Sequence, residues 1–290
     1  MSAAPFIELT NLTHVYNEKT AFEKKAVDDV STSINYGECV GIIGHTGSGK
    51  STLIQHFNGL LKPSSGLVKI DGEDVNADKK SLKRIRERIG LVFQYPEAQL
   101  FDETLYKDIA FGPRNMGLSE EEIKERVYEA LNCVGLPESL LKDSPFELSG
   151  GQKRRAAIAG VLAMRPDALI MDEPTAGLDP SGREEILSYI KSLADDAKRS
   201  VIIVSHSMED IAKLCGRIFV MANGKIVIDG TPAEVFNRQE QLESIGLAAP
   251  QIAVLTRRLR EAGLPLPEGI FTSGAAAEAI RELAARVKNL

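Results

Sequence analysis

The sequence predicts an α/β protein with a mainly parallel sheet, followed by a small helical region. Short apolar runs alternate with stretches of helical periodicity between residues 39 and 206. A glycine-rich turn at 44–51 joins one such run to a helix. From about Thr231 onward only helices joined by Gly/Pro loops follow. We therefore expect a core over residues 1–230 and a helical C-terminal domain over 231–290.

Composition narrows the class of protein. The chain has 290 residues, 43% of them hydrophobic, as in ordinary globular proteins. Its net charge of −6 argues against a general nucleic-acid binder, which needs a basic face. Three scattered cysteines suit a reducing compartment, and we expect neither a signal peptide nor a membrane-spanning helix.

Short sequence patterns predict the strands and helices that precede residue 95. Loose alternation predicts strands at 6–15 and 26–34, and the apolar run at 39–43 predicts a buried strand. Helical spacing follows at 52–61, then a strand and turn at 67–72. A basic helix at 81–88 leads into a strand at 89–93; interleaved acidic residues favour a solvated face over a nucleic-acid site.

The later elements alternate again. Residues 95–147 form a mostly helical insertion, with turns around Pro96, Pro113 and Gly117 and a helix at 120–134 capped by Ser119. Asn223-Gly224 signals a hairpin. The other predicted helices lie at 153–164, 182–198, 208–214, 232–243, 250–262 and 275–287, and the other strands at 168–173, 201–204, 218–222 and 225–228.

The glycine-rich turn has the residues and context of a phosphate-binding loop. Backbone N–H groups can surround phosphate oxygens there, and the helix N-terminus adds partial positive charge. Lys50 would reach the terminal phosphates and the Ser51 hydroxyl would bind Mg²⁺. The turn consists of Gly44, His45, Thr46, Gly47, Ser48, Gly49, Lys50 and Ser51, followed by Thr52.

Two further clusters add chemistry. Asp172 at a predicted strand end can hold the Mg²⁺ water shell, and Glu173 beside it can polarise an attacking water. A second anion-binding turn starts the helix after Leu148, with Ser149, Gly150, Gly151 and Gln152. One nucleotide does not need two such turns, so the second turn would cover the γ-phosphate of a nucleotide on another subunit.

Residues 6–230 resemble the nucleotide-binding subunits of ABC transporters. The resemblance implies an ABC ATPase core, with an antiparallel β subdomain and a helical subdomain at about 95–165, and head-to-tail dimers holding two ATP molecules. It places the Walker A motif at 44–51, the signature at 148–152, Walker B at 169–173 and the D-loop around Asp179. It also implies roles in hydrolysis for Gln94 and His206, with Gln94 near Mg²⁺, and adenine stacking by Tyr16.

A narrower resemblance, carried by 92–101, 110–113 and the tail around 246–250, is to the ATPases of energy-coupling factor importers. It implies ATP-driven uptake of vitamins or cobalt/nickel ions. The expected partners are a second ATPase subunit, a paralogue in preference to another copy, with a membrane scaffold and a substrate-binding membrane subunit. These partners would hold the chain at the cytoplasmic face of the membrane, and Glu97 would accept a scaffold arginine.

Two alternatives stay open from the sequence. The chain could serve another ABC importer, although a regulatory β-rich tail would then be expected. It could also be a soluble non-transport ABC ATPase, but neither tandem cassettes nor a coiled-coil insertion is visible. We expect the C-terminal helices to hold two ATPase subunits together.

Overall fold

The structure is a computed structural model that describes residues 4–195 and 199–288, with side chains to residue 285. The end of the helix predicted at 182–198, and the first three residues, lie outside the described residues. The strands are β1 (Ile7–Tyr16), β2 (Lys24–Ile34), β3 (Cys39–Gly44), β4 (Ser65–Ile70), β5 (Glu73–Asp74), β6 (Ile89–Val92), β7 (Ala168–Asp172), β8 (Ser200–Val204), β9 (Arg217–Ala222) and β10 (Lys225–Gly230).

Eleven α-helices are assigned in the described ranges. They are α1 (Lys50–Phe57), α2 (Lys79–Arg88), α3 (Leu105–Asn115), α4 (Glu120–Cys133), α5 (Gly150–Leu162), α6 (Pro180–Ala194), α7 (Met208–Leu214), α8 (Pro232–Phe236), α9 (Gln239–Ser244), α10 (Gln251–Glu261) and α11 (Ser273–Lys288). Short 3₁₀ helices cover Pro96–Gln99, Glu138–Lys142 and Pro145–Glu147.

The central sheet has the strand order β10-β9-β3-β8-β7-β6. All neighbours are parallel except β10, which forms the predicted antiparallel hairpin with β9. Because β3, β7 and β8 run the same way, their carboxyl ends meet at one edge of the sheet. Gly44, Asp172 and Val204 end these strands, so the residues that follow them are brought together.

A second sheet, β2-β1-β4-β5, is antiparallel throughout. Its inner face buries Leu9 and Val68 in one cluster with Phe57 of α1 and Ile42 of the central sheet. Helix α1 is therefore fixed by apolar contacts on two sides. The mainly parallel sheet with an antiparallel β subdomain confirms the predicted fold class.

The insertion is helical as predicted, with one helix that the sequence reading missed. Turn chemistry around Pro113 suggested a loop, but α3 covers this stretch, with Thr104 as N-cap and Pro113 in its last turns. A proline inside a helix removes the one N–H that would reach the carbonyl oxygen four residues back, and the packing of α3 against α5 overrides this cost. The predicted cap of α4 is confirmed, because Ser119 and Glu122 form a reciprocal capping box.

The C-terminal region divides into two parts. The helix predicted at 232–243 is two helices, α8 and α9, because Asn237 ends the first. Phe236 and Leu242 of these helices belong to the main core, whereas α10 and α11 enclose a small cluster around Leu266, Ile270 and Ala276. Within the described ranges, no helix has the length and apolar character needed to span a bilayer. The predicted boundary at 231 stays a prediction.

Candidate active site

The phosphate-binding loop connects β3 to α1. Gly49 is the N-cap of α1 and adopts φ 106° without a capping side chain, so the N–H groups of the first turn point into an open cleft. A Cβ on Gly49 would lie 2.2 Å from the carbonyl oxygen of Ala26. Glycine is therefore required at this position for both backbone conformation and space.

The Lys50 side chain lies back across this loop. Its Nζ donates to the carbonyl oxygens of Gly44 at 2.7 Å and His45 at 3.1 Å. Burial lowers the pKa of Lys50, and the nearby Glu173 and Asp172 carboxylates oppose that shift. The ammonium group is thus held above the loop, where terminal phosphates would compete with backbone carbonyls for it.

Asp172 ends β7 and is buried against α1. Its Oδ2 accepts a hydrogen bond from the Ser51 hydroxyl at 2.9 Å. Burial raises the pKa of Asp172, while the Ser51 hydrogen bond works in the opposite direction. Two of the three residues predicted as metal ligands, Ser51 and Asp172, are therefore in direct contact.

Glu173 has an unusual backbone and an unusual carboxyl group. Its φ is 51°, in the left-handed region, and its N–H donates to Val204 O at 2.9 Å. Burial, followed by the charge of Asp172, raises the pKa of Glu173 to about 7. Its buried Oε1 lies 3.5 Å from His206 Nε2 but makes no hydrogen bond within the described part of the chain.

The phosphate-binding loop and the predicted catalytic residues surround a cleft of about 300 Å³, which we call the phosphate cleft. Tyr16 lies at its edge, and its hydroxyl is 3.2 Å from Thr52 Oγ1. Burial, followed by the charge of Lys50, lowers the pKa of His206, so neutral imidazole faces Glu173 near neutral pH. Predicted residues that line the cleft are Tyr16, Thr46, Gly47, Gly49, Lys50, Ser51, Thr52, Gln94, Asp172, Glu173 and His206.

Not every prediction matches this lining. Gly44, His45 and Ser48 belong to the loop but do not line the cleft, and Ser48 is fully buried beneath it. Lys24 and Ala26 do line the cleft, and the sequence reading missed both. Pairing of Lys24 with Tyr16 across β1 and β2 brings them there, a register that one strand's pattern cannot reveal.

The second glycine-rich turn lies elsewhere. Ser149 caps α5, and its N–H donates to Gln152 Oε1 at 2.9 Å in a capping box, so Gln152 caps the helix and does not line the cleft beside it. Ser149, Gly150, Gly151 and Asp179 line a cleft of about 530 Å³, which we call the signature cleft. Among the described residues, it shares no lining residue with the phosphate cleft.

Glu97 is engaged within its own chain. Its Oε2 lies 3.4 Å from Arg154 Nε, and it lines the signature cleft. A separate apolar groove of about 890 Å³ runs between α2, α3 and α5, and Glu97 does not line it. The groove residues include Lys79, Leu82, Lys83, Arg86, Leu100, Phe101, Phe111, Met116, Ala156 and Met164. The expectation that Glu97 accepts a scaffold arginine stays a prediction, with one of its carboxylate oxygens already facing Arg154.

Comparisons with known proteins agree with this geometry. The ABC transporter family model matches residues 27–176. The energy-coupling factor transporter ATP-binding protein EcfA2 of Clostridium tetani is 60% identical over 92% of this chain and 93% of its own. The protein of that name from Caldanaerobacter subterraneus subsp. tengcongensis is 58% identical over 98% of this chain and 99% of its own.

Solved structures of similar fold are also ABC transporter ATP-binding proteins. The structure of cbiO1 from Clostridium perfringens, part of the ABC transporter complex cbiONQ, has a TM-score of 0.73 and 40% identity, covering 87% of this chain and 99% of that one. A dimeric ATP-binding cassette in a post-hydrolysis state with ADP and Pi has a TM-score of 0.71 and 31% identity, covering 78% and 98%. With its ATP-binding loop and these relatives, the chain belongs to the ATP-binding proteins of energy-coupling factor transporters, the ATPase subunits of this branch of the ABC transporter family.

Proposed function

We propose that this chain and a second, paralogous ATPase subunit bind two ATP molecules head to tail, and that hydrolysis drives uptake of vitamins or cobalt/nickel ions. The observation that carries the proposal is the separation of the phosphate cleft from the signature cleft. Each chain offers half of two different sites. A partner turned head to tail would complete both.

The two half-sites are chemically complementary. Each has a helix N-terminus whose N–H groups favour an anion, α1 at the phosphate cleft and α5 at the signature cleft. A nucleotide held by Lys50 would keep its outer phosphate oxygens free for Ser149 and Gly151 of the partner molecule. The dimeric state of a solved relative supports this arrangement.

The metal-binding residues fit a divalent cation. The Asp172 carboxylate is buried, and burial raises its pKa, so a cation beside it would stabilise the charged form. Ser51, Asp172 and Gln94 would hold Mg²⁺ with its waters. When bound, the ion would neutralise charge on the phosphate oxygens during transfer.

Glu173 and His206 would serve hydrolysis. A carboxyl group with a pKa near 7 is close to the working pH, where a general base transfers protons most efficiently. The buried Oε1 has no hydrogen-bond donor among the described residues, which leaves it available to accept a proton from a positioned water. Neutral His206, 3.5 Å away, would orient that water or a γ-phosphate oxygen.

The apolar groove would receive a helix of the membrane scaffold. Phe101 and Phe111 stack edge to face at 4.9 Å, yet their side chains are 59% and 46% exposed. Lys79, Lys83 and Arg86, with one glutamate, line the α2 side, so the groove combines an apolar floor with a mainly basic border. Such a groove suits one amphipathic helix, and it would hold the chain at the cytoplasmic face of the membrane.

Substitution within the groove tests this assignment. Phe111→Glu should keep ATP binding by the purified full chain but abolish co-purification with the scaffold from detergent-solubilised membranes. Phe146→Glu is the matched control, because Phe146 is 63% exposed and does not line the groove. Equal recovery of the scaffold with both variants would refute the docking assignment.

A further inference from the structure

Arg154 is a buried arginine that joins three parts of the chain. It lies on α5, just over one turn after the Ser149 cap, and is 2% exposed. Its Nη1 donates to the carbonyl oxygens of Pro174, at 3.3 Å, and Ala176, and its Nε faces Glu97 Oε2 at 3.4 Å. A buried guanidinium needs such partners, because an unpaired charge there would be strongly destabilising.

Arg154 joins two segments of the chain, and each segment follows a residue of the phosphate cleft. Glu97 comes three residues after Gln94, and Pro174 follows Glu173. Each segment includes a non-glycine residue in the left-handed region, Tyr95 at φ 61° and Glu173 at φ 51°. Such conformations cost free energy and persist only where surrounding contacts hold them. The guanidinium contacts Pro174, next to Glu173, and Glu97, two residues after Tyr95.

Arginine suits this position better than lysine. Its planar fork donates from several nitrogens at once, so one side chain can bind two carbonyls and a carboxylate. An ammonium group is a single centre and could not span the same partners from the α5 backbone. Loss of the fork would release the two segments from each other while leaving the phosphate loop intact.

We infer that Arg154 is a positioning residue for hydrolysis, which sets Glu173 and Gln94 relative to each other and to α5. The inference rests on the proposed roles of these two residues. Because Ser149 begins the same helix, Arg154 also links the signature cleft to the phosphate cleft of its own chain. A partner's nucleotide that moves the start of α5 would thereby shift the residues around Glu173.

The test measures ATP hydrolysis by the detergent-purified complex with MgATP. Arg154→Gln should lower kcat at least ~10-fold, with KM for ATP within about twofold, because the phosphate loop is untouched. The kcat of Arg154→Lys should lie between those of Arg154→Gln and the wild type. Glu97→Gln should reduce kcat less, and adding it to Arg154→Gln should cause no further loss, since both act through one contact.

The control is Arg126→Gln. Arg126 also donates to a backbone carbonyl, that of Met164 at 3.1 Å, but in the described part of the chain it makes no hydrogen bond to either joined segment. Its kcat should match the wild type. An unchanged kcat in Arg154→Gln, or a rise in KM that follows a loss of thermal stability, would overturn the inference. If Arg154→Gln does not fold, Arg154→Lys and Glu97→Gln carry the test by the same kcat and KM criteria.

The inference can fail independently of the proposed function. Glu173→Gln tests the catalytic assignment directly. If that variant loses turnover while Arg154→Gln keeps it, the positioning role is wrong and the catalytic role stands. If Glu173→Gln keeps turnover, the catalytic assignment itself is wrong.

Discussion

The carboxyl group of Glu173 combines a left-handed backbone, burial beside Asp172 and a raised pKa. Replacing it by an amide removes the proton acceptor but keeps the shape of the side chain. We expect Glu173→Gln to bind ATP and to hydrolyse it at least ~10²-fold more slowly, the usual contribution of a general base. Radiolabelled ATP binding and phosphate release would measure both properties, with Lys50→Ala as the variant that loses binding.

His56 predicts a pH dependence of stability. Its Nδ1 lies 2.7 Å from Thr52 O, so Nδ1 carries the proton, while Nε2 faces His14 Nδ1 at 3.2 Å. Burial lowers the pKa of His56 from 6.5 to about 4 in the folded chain. The unfolded state therefore binds more protons between these values. The contribution of His56 to stability is present above about pH 6.5 and is lost as the pH falls towards 4.

The His56 contribution to the free energy of unfolding should fall by about 2 kcal/mol between pH 7.5 and pH 5, while the raised pKa of Glu173 acts in the opposite direction over the same range. Urea denaturation of the wild type and of His56→Gln at the two pH values isolates this contribution, because the wild type should lose about 2 kcal/mol relative to the variant. An equal pH slope in the wild type and in His56→Gln would assign the effect to other groups.

Local patterns identified Ser51, Asp172 and Glu173, because a loop motif and a strand-end carboxylate pair have recognisable contexts. Lys24 and Ala26 could not be found in this way, since only the pairing of β2 with β1 brings them to the cleft. The partner of Glu97 was equally hidden. Arg154 lies far from it in sequence, and nothing in either segment indicates the contact.

At the level of elements, the sequence predicted strands more reliably than helix ends. Buried strands such as β7 and β8 are continuous apolar runs, which have few alternative readings. Helix α1 was predicted at 52–61 but begins at Lys50, because the phosphate loop feeds directly into it. Helix α3 was missed because its proline and glycine signal a turn locally, whereas packing against α5 decides the outcome.

Helix α11 carries a prediction about subunit association. Ala276, Ala279 and Leu283 pack towards α10, while Ile280, at the edge of the same helix face, remains 40% exposed. We expect Ile280→Glu to weaken the nucleotide-free pair of ATPase subunits and to leave ATP binding unchanged. Light scattering without nucleotide would measure the pair, with Glu282→Gln as control. An unchanged mass for Ile280→Glu would mean that α11 only covers the core of its own chain.

This substitution is a sharper test than truncation after residue 229. Truncation would also remove Phe236 and Leu242, which belong to the main core. Loss of such side chains costs several kcal/mol each, so the shortened chain would lose stability as well as any contact between subunits.

For the whole molecule, the separation of the two clefts predicts a trans effect. In a mixed pair, Ser149→Arg on one chain should block hydrolysis at the site whose Lys50 equivalent belongs to the other chain. Its own phosphate loop should keep ATP, because Ser149 does not line that cleft. Photo-crosslinking of an ATP analogue to each chain would locate the loss. A loss at the variant's own loop would contradict the head-to-tail arrangement.

The strand order also has a consequence for folding during translation. The β1, β2, β4 and β5 strands find all their partners within residues 7–74, so this sheet can close soon after it leaves the ribosome. Strand β3 can pair only later, because its neighbours β8 and β9 start at Ser200 and Arg217. During most of synthesis the nascent chain therefore carries its phosphate loop on an unpaired apolar strand, a substrate for chaperones. The capacity to hold nucleotide should appear late in translation, in a single step.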